Sequence, residues 1–451
     1  MAKKDNDEVI GAQGFPIDWL EREHYQSPRR NYSDRGSDWQ RRVDFDRLRT
    51  ERLSRAKQMM EKHDMDALVM FKGENIRYTT SVYQGNWKNN IFIRYAVLPR
   101  GAKQPILFET AGSDLQCARI DAPWLDGNIR PAITWKWSES AETYMVDRMV
   151  DSVTDVLKDN GIPLTGRIGI DIMDLQSYST FAKKGVNLVN AWPALSEARV
   201  IKTPEEIELL KISSTVGDAC MWKIRNEWLK PGIRECDITA KVNEFLYEEG
   251  FDFVYDIICA SGGNTSPYRR WHTDRMMRDG DLVIVDINAI GPGGYFVDFV
   301  RTFKIGGKWT NAEKALYRGV YDSMYAGMME LKPGKTTADV ASKFWEYDDD
   351  KYGTVTLQQF AHSIGLDLYE GMWISRAYSL KYPVEIKENM YFAIETFAGK
   401  PRLPQTVRLE ENVLVGPEGP IVFTNAAHYD ECIEGSPYFD FAGKARLEPM
   451  A

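Results

Sequence analysis

The sequence predicts an α+β protein. A smaller α/β domain is expected over residues 41–197 and a larger, strand-rich domain over residues 198–451, behind an arm of residues 1–40. Three observations predict this. Strand-like and helix-like runs alternate from about residue 41 to 195. A strong helix start, Thr203-Pro204-Glu205-Glu206, opens the second part. Beyond it, strand patterns dominate at 253–260, 281–289, 295–305, 390–398 and 407–415, with helices expected over 311–331 and 336–350. The chain has 451 residues, 43% hydrophobic and 27% charged, which suffices for two cores and excludes wholesale disorder.

The elements follow in order. Residues 1–40 are polar and Arg-rich, punctuated by Pro16, Pro28 and Gly36, and read as an arm draped over a surface or reaching a partner subunit. Between Asp44 and His63, Phe45, Leu48, Leu53, Ala56, Met59 and Met60 recur at helical spacing. Strand candidates follow at Ala67–Phe71, Phe92–Leu98 and Pro105–Phe108, then a helix over Glu139–Lys158, a strand over Arg167–Asp171 and a helix from Gln176. In the second domain Thr203 is a good N-cap, Pro204 suits the first helical position, and Glu206 completes a capping box. That helix is expected to run to Leu229 and stop at Pro231-Gly232, and another spans Asp237–Glu249.

Composition excludes several functions. With 57 basic and 66 acidic residues the net charge is −9, which repels phosphate backbones, so no nucleic-acid partner is expected. No stretch approaches the roughly 18 apolar residues of a membrane span. The start, Met1-Ala2-Lys3-Lys4-Asp5, lacks a hydrophobic segment, so it does not read as a signal peptide. Five scattered cysteines without a C-x-x-C read as reduced thiols of a cytoplasmic protein. With only five histidines, any metal site must lean on carboxylates.

The sharpest chemical signal lies between Asp281 and Phe303. Leu282–Val285 is continuously apolar and ends at Asp286, with Asn288 two residues on; Gly291-Pro292-Gly293-Gly294 then turns the chain into a second strand. Asp298 sits among Phe296, Val297, Phe299 and Val300, where a lone carboxylate is costly unless a cation receives it. Glu395 and Glu410 interrupt two further apolar strands. Arg408 can pair with Glu410, and Glu395 has no equally near partner. His362 stands in the apolar run Phe360–Gly365. Taken singly, the aspartates also fit strand-end caps and His362 a hydrogen-bonded core histidine. Together they form an oxygen-rich set suited to two divalent ions.

This order, Asp, Asp, His, Glu, Glu, resembles the metal signature of the creatinase/prolidase/methionine-aminopeptidase superfamily, the pita-bread metallohydrolases. Flanking runs agree: Arg199-x-Ile201-Lys202-x-Pro204-x-Glu206-Ile207, Pro231-Gly232, Ser261-Gly262-x-Asn264, Gly280–Val283 and Asp298-x-x-Arg301-Thr302. The resemblance covers roughly 198–416 closely and 41–195 loosely. It implies a C-terminal pita-bread fold with a smaller α/β N-terminal domain, a homodimer, and metal ligation by Asp286, Asp298, His362, Glu395 and Glu410. The two ions could be iron, manganese, zinc or cobalt.

Departures from the resemblance bear on the reaction. Where the peptidases carry a histidine five residues after the asparagine, this chain has Arg269; where they carry His-Glu after the ligand histidine, it has Tyr369-Glu370. The spacing of twelve between Asp286 and Asp298 resembles the dimethylsulfoniopropionate lyase branch, which places an additional metal-ligating aspartate where Asn288 stands. An asparagine can still ligate through its carbonyl oxygen. The first expectation is therefore a metal-dependent lyase that cleaves a small carboxylate substrate by β-elimination, with dimethylsulfoniopropionate giving dimethyl sulfide and acrylate. Asp367, Tyr369 and Glu370 are the candidate bases, and Arg269, Arg270, Trp271 and His272 the candidate substrate binders. The alternatives are hydrolysis of a C–N bond, as in an Xaa-Pro peptidase or a creatinase- or ectoine-hydrolase-like enzyme, and an inactive pita-bread binding module.

Overall fold

The computed structural model describes residues 39–83, 90–125, 127–136, 143–266, 269–344, 355–356, 359–399 and 405–439. The arm expected over 1–40 lies outside them except at its last two positions. Two compact units divide the chain, Met1–Ala198 and Arg199–Ala451. Among the described residues, no helix is long and apolar enough to cross a membrane.

In the first unit, Asp44 caps helix α1 (Phe45–Lys62) by accepting from the amides of Asp46 and Arg47, and Leu48, Ala56 and Met60 form its buried face. A six-stranded mixed sheet follows, in the order β4 (Ile129–Pro131), β3 (Ile106–Glu109), β2 (Tyr95–Pro99), β1 (Ala67–Met70), β5 (Ile168–Ile170), β6 (Leu188–Asn190). β1 is buried along its whole length because it is central, antiparallel to β2 and parallel to β5. Helix α2 (Gly73–Thr80) begins where the buried Asp171 carboxylate accepts from the amides of Phe71 and Lys72 and from Asn75. Helix α3 (Ser113–Asp121) follows β3. Helix α4 (Met145–Asp159) lays Val146, Met149, Val150, Val153 and Leu157 onto the core.

In the second unit, the Thr203–Glu206 capping box starts helix α5 (Pro204–Lys223), and the Glu206 carboxylate also accepts from Tyr295 Oη at 2.7 Å. With helix α6 (Glu235–Glu248) it covers a three-stranded antiparallel sheet, β7 (Phe253–Ser261), β8 (Leu282–Ile290) and β9 (Phe296–Lys304). Helices α7 (Asn311–Met328) and α8 (Thr337–Lys343) cover a second sheet, ordered β12 (Trp373–Ser375), β11 (Gln359–Ser363), β13 (Tyr391–Gly399), β14 (Val407–Val415), β15 (Pro420–Val422), with β10 (Val355–Thr356) beside β13. The β8–β9 turn needs Gly293, which sits at φ +76° with Leu209 so close that a Cβ would fall 2.6 Å from it. Side-chain hydrogen bonds tie β9 to β14: the Thr302 hydroxyl donates to the Arg408 carbonyl and accepts from its amide.

Strand periodicity then places the polar residues. Val283, Val285 and Ile287 of β8, Val297 and Phe299 of β9, Phe392 and Ile394 of β13, and Leu409 and Val413 of β14 all face the helices. The alternate positions must therefore face the space between the sheets. Part of that space is filled by Ile284, Val300 and Phe397. The rest is where Asp286, Asn288, Asp298, Glu395 and Glu410 point.

Candidate metal centre

The strand registers set the residues against one another. Asn288 pairs with Asp298 across β8 and β9, and Glu395 with Glu410 across β13 and β14. His362 of β11 lies opposite Ala393, on the same face of β13 as Glu395. Like charges directly opposite are destabilising. Asp286, Asp298, His362, Glu395 and Glu410 are all buried, with Glu410 at 0% exposure.

His362 Nε2 stands 3.3 Å from Asp298 Oδ2. Asp298, His362 and Glu410 can each bring one ligand atom within 4.8 Å of the others, a separation suited to a shared cation. Among the described residues, neither carboxylate oxygen of Glu410 has a hydrogen-bond partner. A fully buried, unsatisfied carboxylate costs several kcal/mol, of order, as an anion, so a cation fits this position. Burial, reinforced by Asp298 and Glu395, pushes the Glu410 carboxyl well above the usual range. Burial also lifts Asp286 to about 7 against the pull of Arg408. For Glu395 burial is outweighed by Arg408, His362 and Gln359, which hold it below the usual range. Burial opposes the imidazolium of His362, but the hydrogen bond and charge of Asp298 raise it overall.

Arg408 is the principal residue that sequence reasoning misplaced. Linear spacing pairs it with Glu410 on its own strand, an ion pair the structure keeps only at 3.8 Å. Instead its guanidinium grips Glu395, with Nη2 at 2.6 Å and Nε at 3.1 Å, and also bonds Asp286. The long side chain reaches diagonally across β13, a neighbour relation that linear spacing does not reveal. Gln359 bonds the other oxygen of Glu395, and Asn288 donates to Asp286 at 2.7 Å. Behind the centre, Arg301 Nη2 donates to both carboxylate oxygens of Glu411, each at 2.8 Å, and Glu411 also meets His428 Nε2 at 2.9 Å.

A cavity of about 680 Å³ opens above these groups. Asp286, Asn288, Asp298, His362 and Glu395 line it, and the fully buried Glu410 is not among the lining residues. Arg270 and Tyr369 also line it; the Tyr369 ring sits 4.6 Å from His362 and 5.6 Å from Trp373. Burial and the charge of Asp298 push the Tyr369 hydroxyl up to about 12, against its hydrogen bond with Arg270. The other sequence candidates are not among the lining residues. Arg269 is exposed and donates to Asn264 Oδ1 at 3.1 Å. Trp271 and His272 are exposed. Asp367 is half-buried and gives its amide to Glu370 Oε1 at 3.1 Å. Glu370 is buried in an ion pair with Lys202 at 2.5 Å and has Arg199 at 3.6 Å. Sequence reasoning missed Tyr255, Asp256, Gln359 and Tyr378 as lining residues.

Residues 208–417 match Metallopeptidase family M24, and residues 52–201 match the Creatinase/Prolidase N-terminal domain. The Xaa-Pro dipeptidase of Pyrococcus furiosus is 28% identical over 227 residues, 50% of this chain and 63% of that one, so the match spans just under two thirds of the relative. An uncharacterized peptidase of Bacillus subtilis is 25% identical over 287 residues, 62% of this chain and 77% of the relative. Among solved structures, an Xaa-Pro dipeptidase from Bacillus anthracis is similar with a TM-score of 0.68 at 20% identity, covering 84% of this chain and 98% of that chain. The prolidase from Pyrococcus furiosus follows at 0.65 and 21%, covering 82% and 100%. The chain thus has the pita-bread fold preceded by a creatinase-type N-terminal domain, as the resemblance implied. The relatives carry peptidase names, which favours hydrolysis over the lyase expectation.

Proposed function

We propose that this chain, a creatinase/prolidase-type N-terminal domain followed by an M24 peptidase domain of pita-bread fold, is a metal-dependent hydrolase of a C–N bond in a small substrate. The observation that carries this is Glu410, buried without a hydrogen-bond partner among the described residues, its ligand atom converging with those of Asp298 and His362, which line the cavity. Asp286, Asp298, His362, Glu395 and Glu410 would hold two divalent ions, with Asn288 as a neutral neighbour. Bound there, such ions polarise a carbonyl and lower the pKa of a water.

The chain's own groups supply the rest. Arg270 presents a guanidinium fork for a substrate carboxylate. Tyr369 keeps its proton and donates a hydrogen bond towards the reacting carbonyl oxygen. Glu395, which faces the cavity where Glu410 does not, takes a proton from the attacking water and returns it to the leaving nitrogen. The names of the relatives make proline dipeptides the first substrates to try.

A second reading is favoured by one observation: among the described residues lining the cavity, His362 is the sole imidazole. Both peptidase histidines are replaced, and general acid–base help of this kind is worth about 10²–10⁴-fold. In β-elimination a base takes the proton α to the carboxylate, that electron pair forms the C=C bond, and dimethyl sulfide leaves with the C–S electrons. No water is activated. The deciding experiment compares proline dipeptides with dimethylsulfoniopropionate on the metal-loaded protein. Dipeptide turnover tenfold or more above that of the sulfonium compound is expected; the reverse ranking would establish elimination.

A further inference from the structure

Tyr255 and Asp256 are neighbours in sequence, yet both line the cavity. A regular strand sends successive side chains to opposite faces. Strand β7 escapes this because its register shifts between Val254 and Asp256, and such a bulge re-aims the side chains beside it. Past the bulge, Asp256 pairs with Asn288, and Asn288 pairs with Asp298. Asp256, Asn288 and Asp298 therefore form one cross-strand row. Two strand spacings put the ends of that row about 10 Å apart along the sheet. One substrate residue, spanning about 3.5 Å, with polar contacts of about 2.8 Å at either end, fits between them.

Asp256 differs from the other carboxylates of the cavity. Asp286 and Glu395 are held by Arg408, and Asp298 faces His362. Asp256 is exposed where it lines the cavity, and the amide of Ile257 donates to its carboxylate. Arg270 and His272 act on its charge through space. Asp256 is thus an anionic group that lines the cavity apart from the four carboxylates of the centre. The exposed ring of Tyr255, packed edge-on against Phe296, flanks it.

We propose that Asp256 is a specificity residue: its carboxylate receives the cationic end of a small zwitterionic substrate, such as the ammonium group of a dipeptide, while the adjoining carbonyl lies at the metal centre. The bond cleaved rests on the hydrolase reading above; the recognition does not.

The test uses the metal-loaded enzyme and its Asp256→Asn variant, a near-isosteric change at an exposed position. Substrates are glycyl-proline and glycolyl-proline, in which a hydroxyl replaces the ammonium. Asp256→Asn should lower kcat/KM for glycyl-proline about tenfold, mainly through KM, and change glycolyl-proline less than twofold. Equal losses on both compounds, or no loss on either, would overturn the assignment. If the parent hydrolyses neither compound, the hydrolase reading fails, and calorimetric binding decides the recognition. Preference of the parent for glycyl-proline, abolished by Asp256→Asn, supports it. Equal affinities in both proteins, or no binding of either compound to the parent, refutes it.

Discussion

Replacing Lys202 by Met should destabilise the second unit by about 3 kcal/mol. Lys202 Nζ lies 2.5 Å from Glu370 Oε2 and donates to the Arg199 carbonyl at 2.8 Å, with both partners of the ion pair about 1% exposed. Removing one member of a buried pair costs about 3–5 kcal/mol, because a bare charge remains. Glu370 keeps Arg199 at 3.6 Å and the Asp367 amide at 3.1 Å, which places the loss at the lower end of that range. Packing here is tight as well: a Cβ on Gly365 would fall 2.4 Å from Glu370 Oε2 and 2.7 Å from Lys202 Nζ. Urea unfolding followed by fluorescence would measure the change. The double variant Lys202→Met/Glu370→Gln should recover at least half the loss, since no unpaired carboxylate is left. Because Glu370 anchors the segment that carries Leu368 and Tyr369 into the cavity, KM for the best substrate should rise in the single variant. A single variant within 1 kcal/mol of the parent, or a double variant as unstable as the sum of its parts, would refute this reasoning.

Three further outcomes are expected. Asp298→Ala should abolish bound metal, measured by elemental analysis, together with activity; full activity with no metal would contradict the proposed centre. Burial lifts the Asp218 carboxyl to about 7. The stability it contributes is therefore complete below its ordinary pKa near 4 and drains away as pH climbs towards 7, and Asp218→Asn should flatten the plot of urea midpoint against pH over that window. An unchanged slope would show that another group sets it. Finally, the chain should sediment as a homodimer, and deleting residues 1–36 should raise KM far more than it lowers thermal stability. A monomer with unaltered kinetics would retire the idea of an arm reaching a partner's site.

Much of this fold was legible because its signals are local. The Thr203–Glu206 capping box and the apolar run ending at Asp286 each declare an element within a few residues. Helices α2 and α3 passed unnoticed because they lack such signals: the caps of both make no side-chain hydrogen bond, and every residue of α2 but Arg77 is buried, so no polar face betrays a period. Strand β11 was hidden for another reason. The residues flanking His362 looked like any apolar stretch, and of its two neighbours only the short β12 is near in sequence, β13 lying about thirty residues on. In the site, apolar strands interrupted by single carboxylates pointed to the acidic set directly. What could not be read was side-chain reach: whether Arg408 turns to Glu410 or crosses to Glu395, and whether Glu370 faces the cavity or Lys202. A bulge in β7 has no sequence signature at all, and so Asp256 stayed out of view.

The distribution of partners narrows the centre further. Putting Glu395 opposite Glu410 in adjacent antiparallel strands works against folding unless positive charge is supplied. The chain supplies some of it unevenly. Arg408 serves Glu395 and Asp286, Gln359 adds a bond to Glu395, and His362 faces Asp298. Among the described residues Glu410 receives no hydrogen bond, although Arg408 stands only 3.8 Å away. A protein selected only for stability would place a neutral residue there, since a buried, unsatisfied carboxylate brings no structural benefit. Need for an external cation is therefore greatest at Glu410. Among the described residues, the neighbours whose ligand atoms converge with its own are Asp298 and His362.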